Sequence, residues 1–148
     1  MSIYSRILLA VDLNSDSISI GRRAREFAEL MGAELTVLHV VEFMPVEPVG
    51  EAMVPPVQML DEFAAVARQR LLALCTDIGV DASHQRVEVG SVKAEIVRVA
   101  RAMQCDLIVL GARERHGLSI FVNLTEDTVL HAAPCDVLAV RVSGDQVP

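Results

Sequence analysis

The chain has 148 residues, 52% of them apolar, which suits one compact domain over residues 1–148 with a single core. Its net charge of −7 argues against unspecific attraction to nucleic acid or an anionic membrane. No apolar run approaches the roughly 20 residues of a spanning helix, and the opening MSIYSRILLAVDL carries an acid where a secretion signal would still be apolar, so a cytoplasmic protein is expected.

In chain order, Arg6 to Val11 is a short run rich in Ile, Leu and Val without polar alternation, the pattern of a strand buried on both faces. The period then changes to that of a helix, with Ile20, Ala24, Phe27, Ala28 and Met31 on one stripe. Ser15, Asp16 and Ser17 offer side-chain oxygens to its first amides, and Gly32 closes it. Arg22, Arg23 and Arg25 make a basic turn, read as a solvated face or a partner patch. A second buried strand follows at Leu35 to Val41. Glu42 to Pro56 carries four prolines and no stripe, so it reads as a long connection.

The next helix turns Leu60, Phe63, Ala67, Leu71, Leu74 and Ile78 inward and ends at Gly79. His84 to Val89 alternates, as a strand near a sheet edge does. A helix from about Ser91 to Met103, a strand at Leu107 to Leu110, a short helix near Leu124 to Ala132 stopped by Pro134, and a strand at Val137 to Val142 complete the chain. Alternating strands and helices specify an α/β fold, a parallel sheet with helices on both faces.

Ligands of such sheets gather beyond the carboxyl ends of the strands. Three ends draw notice: Ala10-Val11-Asp12, His39-Val40-Val41, and Gly111 with the charged run Arg113-Glu114-Arg115-His116. Neither a P-loop nor a G-x-G-x-x-G turn is present, and no nucleophile motif surrounds a serine or cysteine, so no catalytic residue is assigned. The four histidines lie in separate elements without ligand spacing, and no metal site is assigned. Cys75, Cys105 and Cys135 form no CxxC pair and are expected as free thiols. Cys105 and Cys135 each precede an Asp and an apolar strand, which puts both at one end of the sheet if those strands are neighbours. Asn123-Leu124-Thr125 fits a glycosylation sequon that a cytoplasmic chain would not present to that machinery.

The ordered set ILLAVDLNSDS, ELTVLHVVE, GSVKAEIVRVA, CDLIVLGARERHGL and APCDVLAVRV closely resembles universal stress proteins of the A-like subclass, over nearly the whole chain. The resemblance implies a five-stranded sheet of order 3-2-1-4-5 in the Rossmann-like, adenine nucleotide alpha hydrolase-like class, a homodimer, and no shared catalytic machinery. It also maps a nucleotide site onto Ala10, Asp12, Val40, Gly111, Arg113, Arg115, Asn123 and Thr125.

Nucleotide-binding members of that family carry G-x-x-G, about nine residues, then G-S or G-T, because glycines let backbone amides close on a triphosphate and the hydroxyl adds a donor. Here the loop opens at Gly111, but Glu114 replaces the second glycine and Asn123-Leu124 stands at the Gly-Ser pair. A carboxylate beside a phosphate is costly: at an effective dielectric of about 20, two unit charges 4 Å apart interact by about 4 kcal/mol. Arg113, Arg115 and His116 pull the other way, toward an anion, or are simply solvated. Asp12 has two readings, a contact to the nucleoside or a cap on the following loop.

The leading expectation is therefore a non-enzymatic stress-response protein that works as a dimer through an unidentified protein partner, without a cofactor. An ATP-binding switch with a divergent loop is the alternative, and a weak nucleotide hydrolase is a third reading that lacks residues for a metal and a positioned water. The dimer is expected through Val137, Leu138, Ala139, Val140, Arg141 and Val142. The family order puts that strand at a sheet edge, and it has neither proline nor lysine to discourage pairing.

Overall fold

The computed structural model describes residues 2–43, 57–113 and 125–142. Strands and helices alternate along them: β1 (Arg6–Ala10), α1 (Ser17–Met31), β2 (Glu34–Glu42), α2 (Val57–Ile78), β3 (Gln85–Gly90), α3 (Val92–Ala102), β4 (Leu107–Arg113), α4 (Thr125–Ala132) and β5 (Asp136–Val142). A single 3-10 turn, Ala82–His84, leads into β3. The strands form one sheet of order β3-β2-β1-β4-β5, parallel at every pairing. The expected fold class and strand order are both realised.

The sheet separates two apolar layers. On one face Ile7, Leu9, Val37 and Val109 meet Ile20, Ala24 and Ala28 of α1 and Leu71, Leu74, Cys75 and Ile78 of α2. On the other, Leu8, Leu38, Val40, Ile108 and Leu110 meet Ile96, Val99 and Ala100 of α3 and Val129 of α4. This period-2 division is why β1 and β4 lack polar alternation: both faces are covered.

Three helices end by one device. Ala33 N donates to Ala28 O, Val80 N to Cys75 O and Cys105 N to Ala100 O, at 2.8–2.9 Å, each across a residue in the left-handed region. Those residues are Gly32 (φ 64°), Gly79 (φ 81°) and Gln104 (φ 54°), so the third stop uses a side chain where glycine is favoured.

Three local expectations are corrected. The oxygens of Ser15, Asp16 and Ser17 were expected to cap α1, but no side-chain cap bond is made by its N-cap, Asp16, which lies in the αR region. The preceding turn takes over: Asn14 Oδ1 accepts from Asp16 N at 2.9 Å, and Ser17 N donates to Asn14 O at 3.1 Å. Phe63 was expected to face inward on α2 but is 51% exposed, while its neighbour Ala64 is buried. The buried stripe runs through Ala64, Ala67, Leu71 and Leu74. Third, β4 continues through Gly111 to Arg113, because β5 pairs with it as far as Val142. The proline-rich connection 44–56 lies outside the described residues.

The cysteines are free thiols. Cys105 is buried, Cys135 partly so, and both belong to the layer beneath α3 and α4, at the amino ends of β4 and β5. Burial pushes the Cys105 thiol up to about 11, with Cys135 and Asp106 adding to the rise. Burial alone pushes Cys75 to about 11.

Candidate functional site

The carboxyl ends of β1, β2 and β4 converge because β1 lies between the other two, with Ala10 in register with Leu38 on one side and Leu110 on the other. Beyond Ala10 the chain keeps one more ladder bond, Val11 N to Leu38 O at 2.9 Å. It then turns sharply at Leu13, whose φ of 62° is left-handed and whose side chain is buried.

Two side chains hold this outlet from outside the loop. His39 Nδ1 lies 2.8 Å from Val11 O, and since a carbonyl only accepts, that nitrogen carries the proton. Arg70 of α2 donates from Nη2 to Leu13 O at 2.6 Å, so a cation fixes the carbonyl of the left-handed residue. Neither role was foreseen from the sequence. The available signal was position alone: His39 lies in the carboxyl half of an apolar strand, and Arg70 sits one residue before the buried Leu71.

Asp12 is exposed, and its carboxylate is already engaged. Oδ1 accepts from Asn14 N at 3.1 Å and Oδ2 from Asn14 Nδ2 at 2.9 Å, with Ser17 Oγ 3.4 Å from Oδ1. This is the capping role, an Asx-type turn that leads the chain into α1.

The other positions assigned by the resemblance divide. Val40 is buried among Leu8, Leu38 and Ile96, so its side chain belongs to the core and only its backbone belongs to the outlet. Ala10 is partly buried against the same layer. Gly111 was expected to open a phosphate loop, but it is a strand residue paired with Val140. A Cβ at Gly111 would stand 2.4 Å from Ile20 Cδ1, so its small size already has a packing reason, the approach of α1 to β4. Arg113 ends β4 and Thr125 begins α4. Arg115 and Asn123, with Glu114 and Leu124, lie outside the described residues. The structure therefore gathers Ala10, Asp12 and Gly111 at one end of the sheet, and adds His39 and Arg70 as supports.

Among the described residues no three His, Cys, Asp or Glu side chains form a group able to hold a metal ion. The outlet has a carboxylate and a protonated imidazole nitrogen, both committed to neighbouring protein groups.

Comparison with known proteins agrees over nearly the whole length. The family model described as "Universal stress protein family" matches residues 3–141. Universal stress protein A homolog 1 of Coxiella burnetii is 37% identical over 138 residues, covering 93% of this chain and 96% of that protein. Homolog 2 of the same organism is 34% identical over 146 residues, covering 97% and 99%. Among solved structures, a universal stress protein in complex with cAMP superposes with a TM-score of 0.70 at 18% identity, covering 95% of this chain and 98% of that one, a likeness of fold.

Proposed function

The chain belongs to the universal stress protein family, and from that premise we propose that it is a non-enzymatic, cytoplasmic stress-response protein that acts as a homodimer through contacts with a protein partner and binds ATP weakly or not at all. The observation that carries this reading is the loop sequence after β4, where Glu114, Asn123 and Leu124 stand at positions that binding members fill with Gly, Gly and Ser. Support comes from Asp12, whose two oxygens serve Asn14, and from Gly111, whose missing side chain accommodates Ile20. Among the described residues no helix is long and apolar enough to cross a membrane.

The homodimer would form at β5. Among the described residues that strand pairs only with β4, and Leu138 is 39% exposed with Ala139 also exposed, so an antiparallel match with a second copy would satisfy its outer backbone groups.

Calorimetric titration with Mg-ATP tests the reading, with melting temperature followed in parallel, since a ligand at a hundred times its dissociation constant stabilises by about 2.7 kcal/mol. No heat and no shift are expected. A low-micromolar dissociation constant would instead favour the alternative, an ATP-binding switch in which Arg113 or Arg115 replaces the lost amide contacts. Because the cAMP-bound relative has this fold, the titration includes cAMP, whose single phosphate makes no demand on a triphosphate loop.

A further inference from the structure

The outer flank of α3 carries a groove of about 520 Å³ that continues onto Ala132 of α4. Its floor is made of small apolar side chains, Ala94, Val97, Ala102 and Ala132, and its rim of three cations, Lys93, Arg98 and Arg101. We propose that this groove seats an acidic amphipathic helix of the partner protein, with a face of small aliphatic residues on the floor and two carboxylates about two turns apart on the rim. The inference rests on the reading above that the chain works through partner contacts, and it says where one such contact is made and with what chemistry.

Charge selects the occupant. The chain as a whole carries −7, yet among the described side chains none that lines this groove is acidic. Arg98 is spoken for, since it holds Glu95 Oε2 at 2.6 Å and Glu88 Oε2 at 3.3 Å. Lys93 and Arg101 are exposed and have no ion-pair partner among the described residues. Eight residues apart on one helix, they stand about 12 Å apart along its axis, a spacing that carboxylates at i and i+8 of a second helix reproduce.

The floor selects the shape. Alanines and a valine let a helix backbone come close, and the channel lies beside two helices that pack on each other, where a third helix nests ridge into groove. A nucleic acid would meet neither an aromatic platform in this floor nor a favourable overall charge.

The probe is a stapled, fluorescein-labelled 18-residue helix of Leu, Ala and Gln with two Glu eight residues apart, and its mate has two Lys in their place. Anisotropy should rise and saturate with the acidic peptide, weaken with added salt, and be at least tenfold weaker with the basic one, a difference of about 1.4 kcal/mol. The double substitution Lys93→Glu with Arg101→Glu should reverse that preference. Ala94→Trp, at an exposed position, should block the floor without a change in melting temperature.

Equal binding of both peptides, indifference to Lys93→Glu with Arg101→Glu, or displacement of the acidic peptide by a short oligonucleotide would overturn the groove assignment. If that happens while Mg-ATP still fails to bind and the dimer persists, the groove falls alone. Charge-selective capture alongside tight Mg-ATP binding would support the groove and remove the reading it started from.

Discussion

The two edges of the sheet are built on opposite principles. At β3 the edge is charged: Arg86 reaches Glu88 at 2.9 Å, and Glu88 with Glu95 holds Arg98 of α3, so an ionic network lies over the strand. At β5, Val140 dips into one apolar layer and Val137 into the other, while Leu138 and Ala139 are exposed. Charges on an edge discourage a second strand, and an apolar edge invites one. A single sheet thus carries one side that resists further pairing and one open to it.

The sharpest way to break this contrast is to exchange the two characters. Leu138→Lys, or the harsher Val140→Pro, should convert the proposed dimer to a monomer, halving the mass seen by light scattering. Arg86→Val with Glu88→Val should do the reverse at β3 and produce species above the dimer. If wild-type protein already has the mass of one chain, the functional meaning given to the β5 edge is lost.

A second test reaches the two apolar layers between these edges, with Cys75 of α2 in one and Cys105, just before β4, in the other. The thiols of Cys75 and Cys105 titrate near 11 in the fold against an ordinary value of 9.0. The native state therefore holds these protons more tightly than the unfolded chain does. Their contribution to stability is complete below about pH 9 and is lost as pH rises from there through about 11. Melting temperatures from pH 7 to 11 should hold and then fall, and Cys105→Ala and Cys75→Ala should each flatten the alkaline limb.

Smaller effects follow. Gly111→Ala places a methyl group against Ile20 behind the β4–β5 pair and should cost about 1–2 kcal/mol in denaturant unfolding. Ile20→Val in the same chain, by removing the clashing Cδ1, should recover part of that loss. Glu88→Gln on the β3 side loosens a partly exposed network and should cost at most about 1 kcal/mol by the same measurement. A larger loss would mean that the β3 network also holds α3 in place.

Much of this architecture is legible in the sequence because the central strands are buried on both faces. The runs at Arg6, Leu35 and Leu107 read as strands without ambiguity, and the glycines at 32 and 79 mark helix ends. The misreadings occur where a neighbour decides. Phe63 belongs by size to a buried stripe, but Ala64, one position on, takes the inner place. Gly111 reads as the start of a loop because the apolar run stops at Leu110, whereas its strand is prolonged by β5, which enters the chain more than twenty residues later. At the candidate site, Asp12 was legible as a capping residue. The grips of His39 and Arg70 were not, since each depends on a carbonyl presented by the chain as it leaves β1, Val11 O for the one and Leu13 O for the other.

The central position of β1 has a consequence for how the protein is made. Ile7 pairs with Leu107, so one side of the first strand stays open until the fourth has been synthesised. At ribosomal rates of roughly 5–20 residues per second, that interval lasts about 5–20 s. Throughout it Leu8, and Leu38 and Val40 once made, lack Ile108, Leu110 and Val129, and one apolar layer is incomplete. Such long-range closure is slow in its own right. The nascent chain therefore spends seconds with a sticky half-sheet, the period in which a chaperone or a wrong strand competes for it.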